Sequence, residues 1–166
     1  FQKLSKPIKK KLMIKADVLV NNKDWEKHIP SPNIYFKKKL KLVENKISIF
    51  KKNKLNFTIL LSGDNEIKIL NKKFRKKNKV TDILSFPSCE KKTLYMLMKD
   101  KKNNVYLGDL IINLNKIVEQ SKEQSFNIVF DKIWIHGIVH LLGYRHESNK
   151  DFSLMQELEN RIIKSI

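Results

Sequence analysis

The sequence predicts an α+β fold: a small mixed β-sheet packed with helices, in a single domain taken to span residues 1–166. Three observations lead there. The chain has 166 residues, enough for one domain with a moderate core and hardly enough for two. Strand-like and helical segments alternate along much of it, and three helical segments in succession close it. One of those closing segments is apolar on nearly every side, which places it at the centre of the packing.

The elements follow in order. Residues 11–20, KLMIKADVLV, alternate and are rich in β-branched side chains, the pattern of a strand. HIPSPN ends it, and Pro30 and Pro32 bar a helix until about Ser31. From 34 to 50 the apolar residues Ile34, Leu40, Val43, Ile47 and Phe50 lie among lysines, as on one amphipathic helix. KLNFTILLS, 54–62, is a second strand. Gly63-Asp64 makes a turn, and Ile67, Leu70 and Phe74 at helical spacing mark a short helix. TDILSFP, 81–87, is a third strand closed by its proline. Within 88–104 only TLYMLM stands out, as a strand or hairpin arm between lysine-rich loops.

VYLGDLIIN, 105–113, is a further strand, and Asn113 or Asn115 caps a helix running to Glu123. Residues 126–142 form the buried central helix. Residues 148–166 form an amphipathic helix with Phe152, Met155, Leu158, Ile162 and Ile163 on its apolar side and Ser148 or Asn149 as cap.

Composition limits the class of function without choosing it. There are 35 Lys+Arg against 17 Asp+Glu, a formal charge of +18. That excess suits a polyanionic partner. It equally suits compositional drift, since arginine occurs only at Arg75, Arg145 and Arg161 and asparagine and isoleucine are abundant too. With Cys89 alone, no intrachain disulfide forms. No run is long enough to span a membrane. The basic opening FQKLSKPIKKKLMIK has no apolar stretch after its charges, unlike a secretory signal. The expected location is cytoplasmic.

Three of the four histidines fall within HGIVHLLGYRH, 136–146. His136 and His140 are four residues apart on the central helix, so both rings leave one face. Gly143 permits a left-handed helix end, after which the chain turns back and His146 supplies a third nitrogen. Imidazoles on so apolar a helix are costly without partners, and a metal ion satisfies them together. Three protein ligands with a fourth position open is the arrangement of a catalytic zinc ion. The spacing H-x-x-x-H-x-x-G-x-x-H is that of metzincin metalloproteases, whose general base is a Glu after the first histidine. Here that position is Gly137, which carries no side chain and would also let a backbone approach.

The sequence here resembles the YbeY family of bacterial metal-dependent endoribonucleases, also called rRNA maturation factors. LNKKFR (70–75), TDILSFP (81–87), LGDLII (107–112) and HGIVHLLGYRH (136–146) carry the resemblance, with MQELE (155–159) a weaker fifth segment. It covers most of the chain after residue 55. The resemblance implies one Zn²⁺ ion held by His136, His140 and His146. It implies cleavage of single-stranded RNA, 3′-end maturation of the 16S ribosomal RNA precursor on the small ribosomal subunit, and a part in ribosome quality control. Arg75 matches an arginine thought to act at the RNA site. Arg145 stands where the family usually has Asp. Glu147 is a candidate to orient His146 in its place, or Arg145 instead adds a phosphate contact beside the metal.

Zinc chemistry on a phosphodiester needs a polarised phosphoryl oxygen, an activated water, or both, and a planar guanidinium such as Arg75 fits two phosphate oxygens. RNA brings its own 2′-hydroxyl, so a carboxylate at Gly137 is less necessary; whether water or that hydroxyl attacks is open. Ile83, Leu84 and Phe86 are expected in the core, with Ser85 or Thr81 turned to substrate from an edge strand. Asp109 is expected to be structural, Cys89 no ligand, and His28 a surface residue. Two other functions fit the pattern less well. A metallopeptidase lacks its Glu. A non-catalytic, ribosome-associated RNA-binding protein with structural zinc lacks a fourth ligand.

Overall fold

The computed structural model describes residues 12–101 and 104–166. The elements are β1 (Ile14–Val20), a short 3-10 helix (Lys23–Lys27), α1 (Pro32–Lys46), α2 (Ser48–Lys52), β2 (Lys54–Ser62), α3 (Asp64–Arg75), β3 (Ile83–Pro87), α4 (Lys91–Lys99), β4 (Asn104–Asn113), α5 (Leu114–Gln120), α6 (Phe126–Leu141) and α7 (Asn149–Ile163). Among the described residues the four strands form one sheet in the order β1-β2-β4-β3. β1, β2 and β4 run parallel, and β3 lies antiparallel to β4 at one edge. The α+β architecture with a mixed sheet is the one the sequence predicts.

Alternation in β3 assigns the two faces of the sheet. Ile83 packs with Leu110, Trp134 and Ile138 in the main core beneath α6. Leu84 and Phe86 point the other way, to a small cluster around Ile67 of α3. The metal-type helix and α3 therefore sit on opposite faces of the sheet, and both reach its β3 edge.

Two expected elements differ. Residues 34–50 are not one helix: α1 ends at Ile47, which has extended backbone (φ −107°, ψ 114°), and α2 restarts after it. Apolar spacing continues through Val43, Ile47 and Phe50, all buried, so burial gives no sign of the break. The TLYMLM segment is the helix α4, not a strand or hairpin arm. Leu94 and Met98, four apart, are buried while Met96 is exposed, as helical periodicity requires. Residue 11 and most of the basic opening lie outside the described residues. The helix after β4 ends at Gln120 rather than Glu123, and Asn113 is its cap, accepting from Asn115 N.

A β-bulge and a buried carboxylate set the platform for α6. The β2–β4 register slips between Asn56 and Thr58, and opposite it Gly108 adopts φ +131°. A Cβ there would lie 2.1 Å from the carbonyl oxygen of Phe86, so β4 approaches β3 as only glycine allows. On α6, buried Asp131 accepts hydrogen bonds from Tyr35 Oη (2.6 Å), Lys39 Nζ (2.7 Å) and Trp134 Nε1 (2.8 Å). Those three donors satisfy a charge that would otherwise be costly inside the core, and they tie α6 to α1.

Candidate metal centre

α6 carries His136 and His140 on one face, and the turn after it returns His146 to them. Each of the three offers a nitrogen, and these atoms all lie within 4.8 Å of one another. The return is made by the glycine turn. Gly143 has φ +87°, its N–H bonds to the carbonyl of His140 (2.9 Å), and the N–H of Tyr144 bonds to that of Val139 (3.3 Å). This is the Schellman pattern of a helix end.

The same turn fixes a tautomer. His140 Nδ1 lies 2.8 Å from the carbonyl oxygen of Tyr144. A carbonyl only accepts, so Nδ1 bears the proton and Nε2 presents a lone pair. Burial holds the imidazole below the ordinary histidine pKa, which favours this neutral form. His136 Nδ1 lies 2.8 Å from Glu159 Oε1 on α7, a carboxylate placed to accept in the same way. The two Nε2 atoms then face each other at 3.1 Å. With both Nδ1 atoms donating, a cation is what such a pair of lone pairs accommodates. The donor set therefore fits a divalent metal, and His136, His140 and His146 are a group able to hold one.

Gly137 faces the sheet. A Cβ there would lie 2.6 Å from Ile83 Cδ1 and 2.8 Å from Leu110 Cδ2. The expected room for an approaching backbone is filled instead by these two core side chains. Any side chain at this position must displace those core methyls, and glycine itself offers no general base.

His140 and His146 open into a cleft of about 440 Å³ between the edge of β3, the start of α4 and the turn after α6. Arg75 reaches it around the sheet edge from the end of α3, its Nη2 donating to the Ser85 carbonyl (3.2 Å). Ser85 lines the cleft; Thr81 instead bonds Asp82 with its hydroxyl and Asn113 with its carbonyl. Arg145 is at the rim, with Nη1 3.3 Å from Glu147 Oε1. Glu147 thus pairs with Arg145 rather than with His146; the carboxylate that meets a histidine of the group is Glu159, at His136. Cys89 lines the cleft although distant in sequence, but lies outside the three-histidine group. Lys91, at the start of α4, stands 4.0 Å over the Tyr144 ring. Asp109 accepts from Tyr106 Oη, a structural role as expected. His28 is exposed and stacks on Phe126 at 4.4 Å.

Sequence reasoning missed Glu159 and Lys91. Glu159 lies in the MQELE segment, but no spacing links it to a histidine 23 positions earlier. Lys91 opens α4, where the sequence predicts a strand or hairpin arm.

The family model described as Endoribonuclease YbeY matches residues 19–166. The chain belongs to the YbeY family. A YbeY endoribonuclease of Pelagibacter ubique is 43% identical over 157 residues, covering 93% of this chain and 97% of that protein. The YbeY endoribonuclease of Buchnera aphidicola is 42% identical over 142 residues, covering 84% and 83%. The solution structure of TM1509 from Thermotoga maritima shares 25% identity at a TM-score of 0.52, covering 90% of this chain and 88% of that one. The matched span includes all three residues of the histidine group. No helix among the described residues is long and apolar enough to cross a membrane.

Proposed function

We propose that this chain is a zinc-dependent, single-strand-specific endoribonuclease acting in 3′-end maturation of 16S ribosomal RNA and in ribosome quality control. The observation that carries it is the three-histidine group, two of whose Nδ1 atoms are engaged by acceptors, with His140 and His146 lining the same cleft as Arg75. Family membership makes the chain an RNA-cleaving hydrolase. Its expected setting is the cytoplasm, on the small ribosomal subunit, with residues 1–166 working as one YbeY-like domain.

His136, His140 and His146 would hold the ion. Zinc so bound supplies Lewis acidity toward a phosphodiester. The chain's own groups do the rest. Glu159 and the Tyr144 carbonyl keep the Nδ1 protons in place, so both Nε2 atoms stay available. Arg75 is braced by the Ser85 carbonyl with donors to spare, and its guanidinium binds and orients a non-bridging phosphate oxygen. Arg145 offers a second cation at the rim. Gly137 puts no carboxylate at the position of the peptidase general base, which supports a substrate that brings its own hydroxyl.

The test is cleavage of a single-stranded RNA oligonucleotide by wild type, His140→Ala and Arg75→Ala, with and without chelator, with metal content measured on the same samples. Cleavage that needs both metal and His140 supports the reading. Metal and RNA bound with the RNA left whole would favour a binding-only role with structural zinc.

A further inference from the structure

The end of α3 carries a feature that metal chemistry does not use. Phe74 is 57% exposed beside Arg75. Its ring meets Phe86 of β3 edge-on, with centroids 5.2 Å apart and planes at 62°. Phe86 is half-buried against Ile67, Leu84 and Ile111, so it is a fixed support and Phe74 the outer ring. Cations surround the pair: Lys73 Nζ lies 5.2 Å from the Phe74 ring, and the Arg75 guanidinium carbon 5.9 Å from the Phe86 ring. The stretch KKFRKKNK, 72–79, has six Lys or Arg and no acidic residue.

Position matters as much as composition. β3 is the edge strand, and its alternate residues face opposite ways: Ser85 and Pro87 into the histidine cleft, Leu84 and Phe86 toward α3. Arg75 spans that edge. A polyanion leaving the cleft past Arg75 therefore comes next to Phe74. Exposed aromatic faces interleaved with lysines are how proteins hold single-stranded nucleic acid, lysines on the backbone and rings under the bases. Asp109 is the cross-strand neighbour of Phe86, so the cations gather on the Phe74 side of the pair, where the 72–79 stretch carries no acid.

We propose that Phe74, backed by Phe86, is a stacking platform for one base of single-stranded RNA, adjacent to the phosphate that Arg75 holds. This rests on the endoribonuclease reading and adds to it a way of telling single strands from duplex, whose bases are already stacked. Phe74 is a substrate-binding residue here, not one that touches the reacting atoms.

The experiment measures equilibrium binding of a fluorescein-labelled single-stranded RNA in a His140→Ala background, so that turnover does not intervene. Phe74→Ala and Phe74→Leu are expected to weaken binding roughly tenfold to a hundredfold, the range for losing one base–aromatic stack, while Phe74→Trp retains it. An RNA carrying one abasic site, moved along the strand, should at one position erase the difference between wild type and Phe74→Ala. Circular dichroism melts confirm that the variants fold. Equal affinity of Phe74→Ala, or full retention by Phe74→Leu, overturns the platform and leaves a protein-docking patch. RNA neither bound nor cut by the wild type would instead overturn the endoribonuclease reading, and the platform with it.

Discussion

Glu159 of α7 lies 2.8 Å from the Nδ1 of His136 on α6, across 23 residues of sequence. A carboxylate there fixes the ring and raises its basicity toward a metal. Glu159→Ala is expected to weaken zinc binding about 10- to 100-fold, the usual effect of removing such a partner. Glu159→Gln, which keeps an accepting oxygen, should lose less. Competition titration with a chromophoric chelator reads both; unchanged affinity in the alanine variant would show the contact to be incidental.

Gly137 is a packing requirement. Any Cβ there drives into Ile83 and Leu110. Gly137→Ala is expected to cost about 1–3 kcal/mol, as overpacking of a filled core does. Gly137→Glu should fail to fold and should not acquire peptidase activity. Urea unfolding measures the first, and casein hydrolysis by any soluble Gly137→Glu protein tests the second.

Gly143 couples stability to the site. At φ +87° a side chain is strained, and its Cβ would meet Lys91 Cβ at 2.6 Å. Gly143→Ala should destabilise by about 1 kcal/mol or more. It should also displace the Tyr144 carbonyl from His140 Nδ1, so zinc affinity falls along with the melting temperature. A variant that melts early yet binds zinc normally would uncouple the two.

Asp64, the first residue of α3, accepts from Asn113 Nδ2 (2.7 Å) and Asn115 Nδ2 (2.8 Å). The Asn113 bond leads the two in holding its carboxyl below the ordinary value. A lowered folded pKa means stability that is present above the unfolded pKa and lost as pH falls through the folded one. The carboxylate is largely solvated, so Asp64→Asn should cost at most about 1 kcal/mol near neutral pH. Wild type and variant should converge in acid, below the carboxylate range. Urea midpoints at both pH values check this; a gap that persists in acid would point to shape rather than charge.

How much of this was legible depends on whether the cause was local. The histidine spacing, the glycine turn and the apolar run of α6 are local, and they led directly to the cleft. β2, β3 and β4 were visible because buried strands alternate or run apolar between turn residues. α4 was hidden because Leu94 to Met98 are contiguously apolar, although only Leu94 and Met98 are buried. The break at Ile47 has no proline or glycine to announce it. Glu159, Lys91 and the entry of Cys89 into the cleft come from tertiary packing, which no spacing within one segment encodes.

The bonds along β3 have a further consequence. Asp82 O and Ser88 N are paired with β4 (to Asn113 N and Leu107 O), so the odd-numbered residues between them turn their backbone groups outward. There the N–H of Ile83 is taken by Asp82 Oδ1, the carbonyl of Ser85 by Arg75, and Pro87 has no N–H to offer. An edge so occupied is a poor template for a strand from another molecule. Arg75 thus belongs to the sheet edge as well as to the cleft, and replacing it frees the Ser85 carbonyl for another donor.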